Sequence, residues 1–241
     1  TLFPYTTLFR SSGFCLALLS AGLLVPAGWL AWNLGVHAPD WGRLAIAVRN
    51  SLGLGLAGAL VTVALATMLA LGARHLPLAT RIASLGYATP GAVMAIGLLA
   101  PAGVIWSMAP GSGAAIALVL LVLAYAARLM AAALEPIDSG LARVTPTMIQ
   151  AARTLGHGET RAALAVELPL ARGAMLTAGL IVLVDVLKEL PATLILRPFN
   201  FDTLAVIANN YASDERLGQA GLPSLLIMLL SLPAVIWLTR Q

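Results

Sequence analysis

Residues 114–134 read AAIALVLLVLAYAARLMAAAL, an unbroken apolar run with one charge, Arg128, and no Gly, Pro, Asn or Asp to interrupt it. An α-helix needs about 20 mostly apolar residues to cross the hydrocarbon core of a bilayer. Strands that cross a membrane instead alternate apolar and polar positions over segments of about 10 residues, and this run does not alternate. It predicts a membrane-spanning helix, and so an all-α fold.

The rest of the chain repeats the pattern. Of the 241 residues, 60% are hydrophobic and only 10% charged, with a mean hydropathy of +0.93, well beyond the roughly half-apolar make-up of soluble domains. Apolar runs bounded by Gly, Pro and charged residues predict about six transmembrane helices, over 14–33, 46–71, 83–105, 113–134, 173–196 and 221–239. The third is the least regular, because Pro90 and Pro101 each remove a backbone donor and kink a helix. The first dozen residues, TLFPYTTLFRSS, read unlike the others and resemble the translation of a sequencing-adapter remnant. Residues 1–12 are therefore expected to be a foreign leader on a fragment that lacks its own beginning. Residues 13–45 then supply a leading transmembrane helix and external loop, and 46–241 the main body.

Charge sets the expected orientation. The formal net charge of +4 comes from basic residues dispersed along segment ends, not gathered into a nucleic-acid patch. With both termini cytoplasmic, the inner side receives Arg10, Arg74, Arg81, Arg128, Arg143, Arg153, Arg161, Arg172 and Arg240, and the outer side Arg43, Arg49, Arg197 and Arg216, nine against four. Without Arg10 the balance is eight against four. Positive residues concentrate in cytoplasmic loops, so both termini and the loop between the fourth and fifth spans are expected inside. Cys15, the only cysteine, lies in an apolar run and excludes an intrachain disulfide.

That loop, roughly Glu135 to Arg172, is polar against the surrounding chain and helical in character. Thr145-Pro146 suits an N-cap followed by proline at the first helical position. TMIQAARTL follows, Gly156 stops the helix, and ETRAALAVEL starts a second one, expected to end before Pro169. Leu164 and Leu168 share a face, and Glu159 sits at the N-terminus, where a negative charge suits the helix dipole. Gln150-Ala151-Ala152, then Gly156, then Val166-Glu167-Leu168-Pro169 match the spacing E-A-A-x3-G-x9-I-x-L-P.

This pattern resembles the cytoplasmic coupling loop of the membrane-spanning subunits of binding-protein-dependent ABC importers. Gln150 stands where the family has an acidic residue and Val166 where it has isoleucine; the first change leaves any ion pair made there in doubt. Small Ala151 and Ala152 suit close backbone approach, and Gly156 a chain reversal without a Cβ clash. The resemblance implies that Gln150, Ala151, Ala152, Gly156, Val166, Leu168 and Pro169 dock into a cleft on a separate ATPase subunit. The competing reading is an ordinary amphipathic connector. The chain itself has no G-x4-G-K-[ST] loop: its only lysine, Lys188, follows VLVDVL. Gly53, Gly55 and Gly58 satisfy G-x-G-x-x-G, but in an apolar run with no preceding strand, so Ser51, Gly55 and Ala59 are expected to line a helix-packing face.

A second polar island, VDVLKELPATLILRPFNFDTLA, places Asp185, Lys188 and Glu189 in or near the outer half of the fifth span. A charge at the bilayer centre costs about 2.5–3.5 kcal/mol on insertion scales. Lys188 is spaced to neutralise Asp185 on the same face, leaving one carboxylate in surplus. Pro191 frees the carbonyl of Leu187 and kinks or ends the span. Two readings stay open: Asp185, Lys188, Glu189 and Pro191 form a polar lining or gate of a translocation path, or the charges sit at the interface and brace a neighbouring helix. Hard-cation ligation by Asp185 and Glu189 is a third reading.

With ASDERLGQAGLPSLLI downstream, this stretch resembles the C-terminal half of iron(III)-type ABC importer permeases, proteins commonly built as two six-helix halves. The resemblance covers about residues 40–241. It implies a non-enzymatic permease subunit in a bacterial inner membrane, with cytoplasmic ATPase subunits, a periplasmic substrate-binding protein and a second permease half as partners, and no cofactor. Thiamine, sulfate or polyamine permeases share that scaffold. A proton-coupled carrier using Asp185 and Glu189 is the alternative from another class; an intramembrane enzyme would need a convergent constellation, and none is visible. His37, His75 and His157 are scattered without metal-ligand spacing. Trp29, Trp32, Trp41, Trp106 and Trp237 lie near span ends, as interfacial aromatics do. Asp214-Glu215-Arg216 lies in an outer loop, either solvated or touching a soluble binding protein.

Overall fold

The computed structural model describes residues 4–33, 39–72, 77–108 and 111–240, and among these it is helical, with no strand. The helix α1 (Pro4–Leu19) passes through one π turn (Ser20–Leu24) into α2 (Val25–Asn33). Then come α3 (Trp41–Gly72), α4 (Pro77–Ser84) with a closing 3-10 turn (Leu85–Ala88), α5 (Gly91–Met108) and α6 (Gly113–Leu141). The second half contains α7 (Pro146–Thr154), α8 (Glu159–Ala162), a π turn (Ala163–Glu167), α9 (Leu168–Leu187), α10 (Pro191–Leu196), α11 (Leu204–Ser213) and α12 (Leu217–Leu238).

Five stretches are long and apolar enough to cross a membrane: Ser12–Asn33, Trp41–Gly72, Gly113–Leu141, Glu159–Leu187 and Leu217–Leu238. The chain is thus a polytopic helical membrane protein, and two of the six expected spans depart from straight helices. The third is bent by 111° between Leu78–Ala88 and Gly91–Trp106. Thr89 at the bend is extended, with ψ 127°, because the ring of Pro90 disfavours helical backbone in the residue before it.

The fifth expected span, 173–196, starts earlier and breaks sooner. Its helix runs continuously from Glu159 to Leu187, so Pro169 does not end the loop helix. The π turn absorbs the proline instead: the Leu168 N–H reaches back five residues to the Ala163 carbonyl, widening the ladder where Pro169 has no N–H to give. The same helix that belongs to the polar loop therefore enters the bundle without interruption.

The core is built by α3, α6 and α9, with Leu54, Leu121, Tyr125, Ile137 and Val182 buried among them. Small residues set the spacing. Ser51, Gly55 and Ala59 are all buried, and a Cβ on Gly55 would come 2.7 Å from Leu183 Cδ1. The G-x-G-x-x-G stretch is thus a packing face, as its apolar setting predicts. Gly140 meets Ala174 in the same way, and Gly86 lies against the carbonyl of Ala127. A second cluster, Leu44, Ala47, Leu204 and Ile207, seats α11 and α12 against the start of α3. The tryptophans Trp32, Trp41, Trp106 and Trp237 occupy the terminal turns of their helices, and Trp29 lies in the middle of the short α2.

Gly86→Ala is expected to destabilise the chain by about 1–3 kcal/mol, since the methyl group has no room against a backbone carbonyl. Gly53→Ala, whose Cβ meets nothing within 4 Å, is expected to be neutral or stabilising by about 0.5–1 kcal/mol. Unfolding of both variants in detergent micelles checks the pair.

Candidate functional site

The α9 helix stops at Leu187 because Pro191, four residues further on, has no N–H to bond the Leu187 carbonyl. Lys188 already departs from the helix (φ −98°, ψ 0°) and Leu190 follows at φ −113°. Glu189, inside the break, organises what comes next. One carboxylate oxygen, Oε1, accepts from the Ala192 backbone N–H at 3.3 Å, capping α10. The other, Oε2, forms an ion pair with Arg128 of α6. The Thr193 hydroxyl donates to the Glu189 carbonyl at 2.8 Å and lies 2.6 Å from the Tyr125 hydroxyl. Since Thr193 has spent its proton on Glu189, Tyr125 must be the donor in that second bond.

Arg128 lies about 22 Å along an α6 that is about 43 Å long at 1.5 Å per residue, near its midpoint. The break and its ion pair therefore lie level with the middle of α6. The bend of the third span meets them there: a Cβ on Gly91, the first residue of α5, would fall 2.7 Å from Glu189 Oε1 and 2.9 Å from Arg128 Nη1. A larger residue there would have to displace the ends of these two side chains. Two broken helices thus converge on one charge pair held by an unbroken third.

Two expectations are corrected here. Glu189 is not a surplus carboxylate, because Arg128 neutralises it from another helix. Arg128 in turn is not a loop residue and drops out of the topological balance, leaving eight against four, or seven against four without Arg10. The Lys188–Asp185 pairing is present at 2.8 Å, with side-chain exposures of 63% and 24%. The four residues Asp185, Lys188, Glu189 and Pro191 are neighbours as expected, but they divide: Glu189 points inward to Arg128, whereas Lys188 points out of the bundle. Asp185 and Glu189 each hold a different cation, a poor arrangement for shared metal ligation. Among the described residues no group of three or more His, Cys, Asp and Glu side chains gathers; His37 and His75 lie outside the described residues.

The polar loop has a defined shape. Thr145 is in the N-cap position with extended backbone, but its hydroxyl bonds Thr147 at 2.8 Å instead of capping. Gly156 takes φ +87°. The N–H of Gly156 bonds the Arg153 carbonyl at 3.0 Å and that of His157 the Ala152 carbonyl at 3.2 Å, a Schellman closure that needs left-handed backbone at the glycine. Nothing lies within 4 Å of a Cβ built on Gly156, so the demand is conformational and leaves the surface open. Ala152, Ala162 and Glu167 face inward, Val166 and Leu168 are half-buried, and Gln150, Ala151 and Pro169 are exposed. Leu155 and Leu164 stand out at 82% and 60% exposure.

Sequence reasoning missed two features. Glu167, at 1% exposure, is a fully buried carboxylate in the π turn; its isolation in AALAVELPLA was the available signal. Asp202 pairs with Arg43 at 3.0 Å and Arg197 at 2.6 Å, its carbonyl accepts from Asn50 Nδ2 at 3.0 Å, and the nearby Leu204 N–H donates to Ser51 Oγ at 2.9 Å. These contacts tie the 197–203 loop to α3, and no sequence spacing reveals them. Asp214, Glu215 and Arg216 are exposed, with the Arg216 guanidinium 5.3 Å from the Tyr211 ring centroid.

The chain matches no protein-family model and no curated protein. What it does must be argued from the break and the loop.

Removing one partner of a buried ion pair strands the other, at about 3–5 kcal/mol. Arg128→Met and Glu189→Gln are each expected to cost about that much at most, since Arg128 keeps 29% side-chain exposure. The double variant should cost less than the two singles combined, by about 1–3 kcal/mol. Unfolding of all four proteins in micelles measures the coupling.

Proposed function

We propose that the chain is the permease subunit of an ATP-driven importer, and that ATP hydrolysis in a separate subunit reaches it through the Gln150–Pro169 loop. The observation that carries this reading is the single helical path from Glu159 to Leu187. One end of that path lies beside a turn whose apolar tip, Leu155, has no cover. The other ends at the charged break. A rigid helix transmits displacement along its length, so a push at the loop arrives at Asp185, Lys188 and Glu189.

The break suits a translocation path. Discontinuous helices near the bilayer midplane carry the polar groups of many transporters, and irregular backbone is tolerated there only where protein or water surrounds it. Lys188, level with the middle of α6 and largely exposed, is too costly to face lipid. It is best accommodated by an aqueous path shared with a second permease half. In this arrangement both termini and the loop face the cytoplasm of a bacterial inner-membrane protein, and Arg43, Arg197 and Asp202 face a periplasmic substrate-binding protein. The resemblance of 145–223 to iron(III)-type permeases favours iron(III) as cargo, with thiamine, sulfate or a polyamine on the same scaffold as alternatives. A proton-coupled carrier is less well supported, because Asp185 and Glu189 each already hold a cation.

Nucleotide can drive such a permease only by binding one of its arrangements better than the other. Gly156→Val places a β-branched residue at φ +87°, at a cost of about 1–3 kcal/mol. It is expected to weaken co-purification with the ATPase subunit by about tenfold or more while the bundle stays folded. Unchanged ATPase binding together with unchanged ATP-dependent uptake would contradict the proposal.

A further inference from the structure

We infer that the Arg128–Glu189 pair is a lock that opens and closes as the permease changes state, and that α10 is the part it releases. The inference rests on the transport reading above and adds the device that gates the path.

The α10 helix has only six residues, far too few to be stable alone. It is held at both ends by polar contacts. At its start, Glu189 caps Ala192 and pairs with Arg128, and Thr193 bonds Tyr125. At its end, Arg197 pairs with Asp202, which Arg43 and Asn50 hold from α3. Its chain connection to α9 is the non-helical stretch Lys188 to Leu190. Between those ends Ala192 and Leu196 pack into the bundle core, and a packed core shifts between discrete arrangements instead of deforming gradually, so α10 has a fixed and a released state.

Three observations favour a lock over a fixed brace. First, stability alone does not call for a charge pair at this depth, since apolar residues of similar volume commonly do as well or better. Second, Glu189 lies two residues beyond the end of the helix that comes from the loop. Any sliding or turning of α9 moves the carboxylate relative to Arg128, which is anchored in unbroken α6. Third, the pair is not sealed by this chain: Arg128 keeps 29% and Glu189 10% side-chain exposure, so the charges can separate without unpacking the core around them. Opening the pair also frees the start of α5, because Gly91 rests on both side chains. Both broken spans would then loosen together on the side where Lys188 is exposed.

The test ties the lock shut. In a Cys15→Ser background, Arg128→Cys and Glu189→Cys are bridged with a bifunctional methanethiosulfonate, and ATP hydrolysis by the assembled complex is followed in proteoliposomes. A lock predicts that bridging lowers hydrolysis at least about tenfold and that reductant restores it. Hydrolysis at the unbridged rate would make the pair a static brace and overturn the inference. Absence of any hydrolysis in the unsubstituted complex would instead count against the transport reading. The lock is then decided on the chain itself, by reacting Ala192→Cys with a membrane-impermeant maleimide. Glu189→Gln should speed that reaction about tenfold, and equal rates would overturn the lock.

Discussion

Lipid offers no hydrogen bonds, so a helix that stops halfway across a membrane must find protein partners for what it exposes. Glu189 and Arg128 meet that constraint here. One carboxylate closes the start of α10, balances the charge of Arg128 and sits under the bend of the third span at Gly91. It thereby links the end of α9, the start of α10 and the start of α5 at one point. The packed triple of α3, α6 and α9 supplies the frame, through small residues such as Gly55 and Gly140 that bring the backbones close. The ion pair decides what the frame can carry.

The break also gives meaning to the polar loop at one end of the bundle. Had Pro169 ended the loop helix, motion of the loop would have been lost in a flexible joint. The π turn at Ala163–Glu167 avoids that, letting one helix pass from Glu159 to Leu187. In the proposed reading, the loop, the continuous helix and the break form one mechanical chain, with Leu155 as its outer contact and α10 as its inner load. In the proposed importer, the ATPase acts at the first and the path opens at the second.

Much of this was legible in the sequence. Long unalternating apolar runs such as 114–134 specify spanning helices, since a helix satisfies its own backbone in lipid and a barrel strand would alternate. The left-handed glycine at 156 follows from its place between two helical patterns, and the Asp185–Lys188 pair from its i, i+3 spacing. Contacts between distant segments were not legible. Arg128 read as a loop charge because its partner lies 61 positions away, and Asp202 gave no sign of Arg43 at a separation of 159. The proline positions marked irregularity but not its form. Pro90 bends a span sharply, Pro191 ends one, and Pro169 is absorbed within a continuous helix. Which outcome follows depends on neighbours that local sequence does not name.

If the charged break faces water and not lipid, a nitroxide at Lys188 reports it. In a Cys15→Ser background, labels at Lys188 and at Leu60, an exposed apolar position on α3, are compared for collisions with oxygen and with a water-soluble nickel chelate in proteoliposomes. The Leu60 label is expected to meet oxygen alone, and the Lys188 label to meet nickel as well. A Lys188 label that meets oxygen and excludes nickel, as Leu60 does, would contradict a water-facing break.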